Sequence, residues 1–423
     1  MRALHVIARY WPYAGGSEGY FQEISERLVA DGHAVTVYAT DAWDLEYFWN
    51  AGKRRVPSPA DLHNGVRIRR FPVRHLPRSQ FIYPATRRLM TYLSRVAPLS
   101  LPALRLLCRS TPFVPDLPRA LSQATERFDL VHCANILLDS LMYSALVFAR
   151  RTHVPFVATP FLHLGEPSDG SVRKHYTMAH QLEMLRLADR VFVQTEIEGD
   201  FLRHVGVVPE RLVLLGMGVD VERASGGDGG RFRQRHGIPG PLVFYVGAQA
   251  YDKGTQHLVE AMRTLWARGS VAHLVLAGPV TEPFQQYYDA LPQDERARCH
   301  LLGAIPEEEK LDLYAAGDVF AMPSRTDSFG IVFLEAWLHG VPVIGARAGG
   351  IPGVVEDGRD GYLVRFGDVP ALAQRIEELL NDRRLAAALG ANGEAKVRAA
   401  FTWEKKYAIV RKTYEDLVSA AAV

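Results

Sequence analysis

Cysteine is scarce in this 423-residue chain: Cys108, Cys133 and Cys299 lie far apart and no Cys-x-x-Cys occurs. That excludes a disulfide framework, argues against a structural zinc site and suits a reducing compartment. Long apolar runs are missing as well. The best stretch, residues 136–149, is broken by Asp139, and a membrane span needs about 20 consecutive apolar residues. The apolar N-terminal stretch is shorter than a secretion-signal core and is bounded by Arg9 rather than a cleavage site, so it reads as a first buried strand of a cytoplasmic protein. No internal repeat or low-complexity segment is visible. Charge of one sign does not dominate either: 49 Lys+Arg against 47 Asp+Glu leaves +2, which gives no electrostatic footprint for a nucleic-acid partner. Acid is missing in one place, however. Residues 62–115 hold ten arginines and no Asp, Glu or Lys, while the rest of the chain carries 39 basic and 47 acidic residues, a net of −8. A block of like charge is unfavourable unless something neutralises it, so this segment either meets an anionic partner or is a solvated loop.

What is present is an ordinary globular composition, 48% hydrophobic and 23% charged, long enough for two or three domains. Strand-like and helix-like runs alternate, the pattern of parallel sheets covered by helices. Residues 2–8, a glycine turn, a helix with Phe21, Ile24 and Leu28 on one face, and Ala34-Val-Thr-Val-Tyr-Ala form a first βαβ unit. Further strands are expected near 66–71, 129–132, 155–159, 190–193 and 212–215, with helices near 136–150, 172–187 and 195–205. Ala224-Ser-Gly-Gly-Asp-Gly-Gly is too glycine-rich to hold an element and reads as a linker. A second series follows, with strands near 242–246, 272–277, 318–322 and 341–346, a helix on which Leu258, Met262, Leu265 and Trp266 repeat at helical spacing, and helices near 282–296, 307–315 and 330–339. The fold class is therefore α/β with two Rossmann-like domains, 1–220 and 221–402, and a basic insertion at 62–118. Trp403, Tyr407, Val410, Tyr414 and Leu417 mark an amphipathic tail helix that must pack on something.

Two glycine-bearing turns could carry chemistry. Ala14-Gly15-Gly16-Ser17-Glu18 lies between the first strand and a helix that Ser17 could cap; glycines there let backbone amides approach a phosphate, although a tight turn without a ligand has the same pattern. The second is Met322-Pro-Ser-Arg-Thr-Asp-Ser-Phe-Gly-Ile-Val-Phe-Leu-Glu-Ala, followed by Gly340-Val-Pro-Val-Ile and Ala348-Gly-Gly-Ile-Pro. It sits where a strand ends and a helix begins. Free amides of Gly330, Ile331 and Val332 would face an anion, and Asp327 and Glu335 could flank it and accept hydrogen bonds from sugar hydroxyls. Asp327 could instead cap the helix. Glu335, between Leu334 and Ala336, is harder to explain without a ligand.

The pattern Pro-Ser-x-x-Asp/Glu-x-Phe-Gly-x-x-x-x-Glu-Ala with a later Gly-Gly-x-Pro resembles the signature of family 4 retaining glycosyltransferases. Gly15-Gly16 with Glu18, Gly218-Val219-Asp220 and Lys253-Gly254 extend the resemblance over nearly the whole chain. It implies the GT-B fold, two Rossmann-like domains facing across a cleft, with the tail helix 403–423 crossing back to complete the first domain. It implies a UDP- or GDP-sugar bound mainly by the C-terminal domain, at Ser328, Phe329, Gly330, Ile331 and Val332. Glu335 matches the carboxylate on the ribose hydroxyls, Asp327 an acid on the donor sugar, Lys253 the lysine on the diphosphate, and His163 a histidine near the sugar. Gly15 and Gly16 add amides toward the departing phosphate. Four positions depart from the pattern. Ala248 and Gln249 stand where Arg-Leu is usual, so a second phosphate cation is missing unless another arginine such as Arg325 replaces it. Asp327 replaces the commoner Glu, and Gly353 stands where a Glu often follows Ile-Pro.

The resemblance further implies reaction on one sugar face, the leaving diphosphate accepting the acceptor's proton, rather than a pair of carboxylates about 5–5.5 Å apart. No Asp-x-Asp occurs to call for a metal, and no cofactor is expected beyond the donor substrate. A hexose-type sugar would pass to a glycan, lipid-linked or small-molecule acceptor in cell-envelope or polysaccharide biosynthesis. Apolar residues interleave with arginine through 62–115, which suits peripheral contact with the inner membrane face; alternatively they form the core of an enlarged first domain. Two rival readings differ in class. A nicotinamide dehydrogenase would need the full glycine fingerprint, which is absent. A non-catalytic nucleotide-sugar-binding or scaffold protein is favoured by Ala248.

Overall fold

The computed structural model describes residues 1–13 and 15–421 and separates into two compact units. The first comprises Met1–Leu162, Ser171–Gly216 and the tail from Lys406; the second comprises His163–Gly170 and Met217–Lys405. The first is built on strands β1 (Arg2–Val6), β2 (Ala34–Thr40), β3 (Ala60–His63), β4 (Val66–Phe71), β5 (Leu130–Ala134), β6 (Phe156–Thr159), β7 (Arg190–Val193) and β8 (Leu212–Leu214). They form one sheet in the order β3-β4-β2-β1-β5-β6-β7-β8, parallel except for β3 against β4. The central strands are apolar almost throughout because helices cover both faces of the sheet. In the second unit, β9 (Leu242–Val246), β10 (His273–Ala277), β11 (Cys299–Gly303), β12 (Val319–Met322), β13 (Val343–Ala346) and β14 (Gly361–Val364) form a parallel sheet in the order β11-β10-β9-β12-β13-β14. Strand order reverses between β1 and β5 in the first sheet and between β9 and β12 in the second. Loops leaving the C-terminal ends of such strands open a crevice where doubly wound sheets hold ligands.

The tail helix Trp403–Ala421 is locked to the first unit through a buried polar chain. Tyr414 Oη lies 3.1 Å from His5 Nε2 and 2.5 Å from His132 Nδ1; His5 continues to Ser25 at 2.8 Å and His132 to Thr159 at 2.7 Å. Tyr407 also donates to Asp31, at 2.6 Å. Burial pushes His5 down to about 3 and, with repulsion from His5, holds His132 well below its ordinary value, so both imidazoles are neutral.

Several elements differ from the sequence expectation for physical reasons. The glycine-rich stretch is not a free linker. Asp228 caps a helix at Gly229–His236 by accepting from Arg231 N, and Phe232 is buried beneath it. A Cβ on Gly227 or Gly229 would stand 2.4 and 2.5 Å from the carbonyl oxygens of Leu311 and Ala315, so these glycines permit close packing rather than flexibility. The helix expected over 172–187 is confined to Ala179–Leu187 after a short turn at Arg173–His175, and the one expected over 282–296 breaks before Pro292. The basic stretch is helical, with Ser79–Leu93, Leu101–Leu107 and Asp116–Ser122.

Candidate functional site

At the reversal point of the second sheet, the loop after β9 meets the loop after β12. Gly254, with φ +75°, lets them touch: a Cβ there would lie 2.2 Å from the Pro323 carbonyl oxygen. Lys253 Nζ consequently reaches Asp327 Oδ2 at 2.9 Å and the Thr326 carbonyl at 3.3 Å. The Gly-Gly after β13 closes the turn from the other side. Gly350 N donates to Asp327 O at 2.8 Å, and a Cβ on Gly349 or Gly350 would fall 2.2 or 1.8 Å from the carbonyl oxygens of Asp327 and Ser328. Gly349 N also donates to Gly165 O at 2.7 Å, which ties the His163–Gly170 segment to the same turn.

Electrostatics knit His163, Lys253 and Asp327 together. Burial, then Lys253, push His163 down to about 4 against the pull of Asp327, so its ring is neutral at physiological pH. Burial pushes the Asp327 carboxyl up, but Lys253, Ser324 and His163 outweigh it and hold the group below its usual range. A cation and an anion are thus held in contact beside a neutral imidazole.

The helix Ile331–Leu338 begins beside this pair. Gly330 is its N-cap with φ +88°, where a side chain would strike the Phe333 ring at 2.8 Å, and no side chain caps the helix. The amides of Gly330, Ile331 and Val332 therefore start the helix at the mouth of the crevice, with Ser328 half-buried before them and Phe329 buried against Phe401 at 5.6 Å between ring centroids. Glu335 has an explanation within the chain: Lys310 Nζ donates to Oε1 at 3.0 Å and Tyr314 Oη to Oε2 at 2.7 Å. Burial pulls the Lys310 ammonium down, but Glu335 and Glu307 raise it further, so it stays charged. Lys310 and Tyr314 were missed from sequence. Their one signal is that they stand one turn apart on the helix Glu307–Ala316.

The segment that departs from the family pattern is tied down structurally. Ala248 O accepts from Tyr245 Oη at 3.0 Å, and buried Gln249 donates to the carbonyls of Gly247 and Ala277. Arg325 does bring a cation to these loops. It pairs with Asp252 at 2.8 Å, lies 3.7 and 3.6 Å from Glu166 and Asp169, and stacks over Phe366 at 4.7 Å. Its charge is already shared among three carboxylates.

In the first unit Gly15 is the N-cap of the helix Gly16–Ala30, and Ser17 lies inside the first turn rather than capping it, giving its hydroxyl hydrogen to Glu18 at 3.0 Å. Gly15 is required because a Cβ would sit 2.5 Å from Glu18 Oε2, whereas a Cβ on Gly16 would point into open space. Buried Glu18 takes a hydrogen bond from Arg9 Nε at 2.9 Å, and Arg9 stacks on Tyr13 at 3.8 Å. This arrangement fixes the glycine turn at the crevice beside β1. Among the described residues no group of three or more His, Cys, Asp or Glu could hold a metal ion, and no helix is long and apolar enough to cross a membrane.

Comparison with known proteins identifies the family of the chain. Residues 230–396 fit the model of glycosyl transferases group 1, and residues 15–218 that of a glycosyl transferase 4-like domain. A D-inositol 3-phosphate glycosyltransferase from Corynebacterium glutamicum (strain R) is 32% identical over 55% of this chain, and the match spans 58% of that relative's length. The enzyme of the same name from Frankia alni is 29% identical over 97% of this chain and 96% of its own. A sulfoquinovosyl transferase from Arabidopsis thaliana is 28% identical over 92% of this chain and 68% of its own. Among solved structures, sucrose-phosphate synthase from Thermosynechococcus elongatus superposes with a TM-score of 0.74 at 22% identity, covering 99% of this chain and 100% of that one. The Anabaena HepE protein in complex with UDP and glucose gives 0.70 at 19% identity, covering 98% and 100%. These likenesses show the fold. With both halves matched by family models, the chain belongs to the family 4 glycosyltransferases of the GT-B fold.

Proposed function

We propose that this chain is a retaining hexosyltransferase that takes a hexose-type sugar from a UDP- or GDP-linked donor and passes it to a glycan, lipid-linked or small-molecule acceptor in cell-envelope or polysaccharide biosynthesis. The observation that carries this reading is the Lys253–Asp327 contact of 2.9 Å at the uncapped start of the helix at Gly330. One cation and three amides converge where a diphosphate fits, and the carboxylate is poised to exchange its cation for sugar hydroxyls. Lys253 turns from Asp327 to the phosphate when the donor binds. Glu335, fixed by Lys310 and Tyr314, offers its remaining lone pairs to ribose hydroxyls, and neutral His163 bonds the sugar without adding charge. As the sugar–phosphate bond breaks, the departing oxygen takes the acceptor's proton and the new bond forms on the same face. Lys253 and the helix amides stabilise the developing charge, and turnover needs neither a metal nor a cofactor.

The name of the Frankia relative supports a phosphorylated polyol acceptor, and the neighbours solved with UDP or UDP-glucose support a uridine donor. A lipid-linked acceptor would be met at the inner face of the membrane. Non-catalytic binding is the second reading, favoured by Ala248 and by an Arg325 already engaged with acids. The test is a panel of UDP- and GDP-hexoses, read by thermal shift and nucleoside-diphosphate release with and without chelator, and by NMR of the product's anomeric proton. Lys253→Ala should cut turnover about 100-fold or more with the melting temperature kept. No response to any donor would overturn both readings, and binding without release would select the second.

A further inference from the structure

We propose that the outward face of the helices Ser79–Leu93 and Leu101–Leu107 seats the first unit on an anionic lipid bilayer. The first of these helices buries one charged and one apolar side chain, Arg87 and Met90, and leaves most of its large apolar side chains outside. Its inward face carries Arg87, buried, whose Nη1 reaches Asp139 Oδ2 at 2.6 Å and whose Nη2 donates to His175 O at 2.9 Å. Asp139 is also bonded by His180 at 2.8 Å and Thr111 at 2.6 Å, so the helix is anchored by a closed polar network. Its outward face carries Phe81, 67% exposed, with Ile82, Leu89 and Tyr92 at helical spacing. The apolar surface continues through Val96, Leu99, 90% exposed, and Leu106, 65% exposed. Of the seventeen large hydrophobic side chains exposed among the described residues, eight fall between Leu76 and Leu106. A concentration of this kind marks an interaction surface. The alternative that these residues form an enlarged core holds for Met90, Leu104 and Cys108 but not for this stripe.

Charge selects the partner. Five of the ten arginines in 62–115 pair with acids, but Arg69, Arg78, Arg88, Arg95 and Arg109 make no ion pair among the described residues. Arg78, Arg88 and Arg95 are exposed around the stripe, Arg95 stacking on Tyr92 at 5.1 Å, and no acid occurs in this segment. A second copy docking face to face would bring the same cations together, which like-charge repulsion opposes. An apolar stripe rimmed by unpaired arginine fits lipid headgroups over acyl chains.

The test is co-sedimentation of the full chain with phosphatidylcholine vesicles, with and without a quarter phosphatidylglycerol, at low and high salt. The chain should sediment with the anionic vesicles, and less at high salt. Arg88→Glu combined with Arg95→Glu should weaken partitioning about 25-fold or more, at about fivefold per charge. Phe81→Glu combined with Leu89→Glu should abolish it, with melting temperature and nucleoside-diphosphate binding unchanged, and Val271→Glu on the second unit should have no effect. Indifference to anionic vesicles at both salt levels, or sedimentation unaltered in Phe81→Glu/Leu89→Glu, would overturn the proposal. So would a concentration-dependent dimer that this double variant dissolves. Donor release measured without vesicles keeps the outcome separate from that of the transferase reading.

Discussion

Replacing Tyr414 by Phe removes a single oxygen, yet two buried nitrogens depend on it. Both histidines are neutral, and a neutral imidazole has one N–H and one bare nitrogen. The phenol can donate only once, so it gives its hydrogen to one ring and accepts an N–H from the other. Tyr414→Phe therefore strands one donor and one acceptor in a site from which water is excluded. Each orphan costs about 1–3 kcal/mol, so the variant should lose roughly 2–6 kcal/mol. At about 2–4 °C per kcal/mol for a unit of this size, the first unit should melt about 6–12 °C lower even if the loss is only about 3 kcal/mol. Urea and thermal unfolding measure the loss, and limited proteolysis near the exposed Lys405 reports whether the tail helix detaches. A loss below about 1 kcal/mol, or one carried equally by the second unit, would refute the assignment of this hydroxyl as a two-way bridge.

Acid should weaken the same unit. His5 and His132 titrate near 6.5 when unfolded but much lower when folded, so their stabilisation is complete above about pH 6.5 and falls away toward pH 3. His5 alone loses about 2 kcal/mol by pH 5, while buried Glu198, raised to about 7, returns about 2 kcal/mol as it protonates; the lowered His132 adds a loss in the same direction as His5, so urea midpoints should fall between pH 7 and 5, and a gain would contradict the reading. In the second unit, Glu335→Gln should weaken nucleoside-diphosphate-sugar binding about tenfold or more, and Lys310→Met should weaken it less, both with the fold kept; equal affinity in all three proteins would remove Glu335 from the site. Ala248→Arg should tighten free nucleoside diphosphate by up to about tenfold, because it adds a cation whose place Arg325 does not fill; titration calorimetry showing unchanged affinity would mean Arg325 already reaches the phosphate. Gly350→Ala forces a Cβ onto the Ser328 carbonyl and should cost about 1–3 kcal/mol of stability along with donor affinity; a variant unaltered in both would show that the turn yields freely.

Much of the architecture was legible because apolar strands and glycine turns are local signals. Leu242–Val246 and Val343–Ala346 read as buried strands, and the Gly-Gly at 349–350 lies against the Asp327 turn. What escaped depends on distance in sequence. Nothing near Glu335 announces Lys310 or Tyr314, and nothing in the first strand announces that His5 will share a hydroxyl with residue 414. Glycine misled at Gly227 and Gly229, whose small size serves packing against the helix Glu307–Ala316. Arginine in 62–115 was read as one block, but the fold divides it, with Arg87 turned inward to Asp139 and Arg88 left outside.

The tail helix also sets an order of assembly. During synthesis the second unit's residues, Met217–Lys405, emerge before the residues from Lys406 onward that the first unit still lacks. Until Tyr414 leaves the ribosome, His5 and His132 have no shared hydroxyl, and the sheet face that the tail will cover stands open to water. The N-terminal half, though translated first, is therefore the later to be completed, and a nascent chain stalled before Lys406 would present a finished second unit beside an uncovered first one. The interval between these events is when a chaperone would find its target.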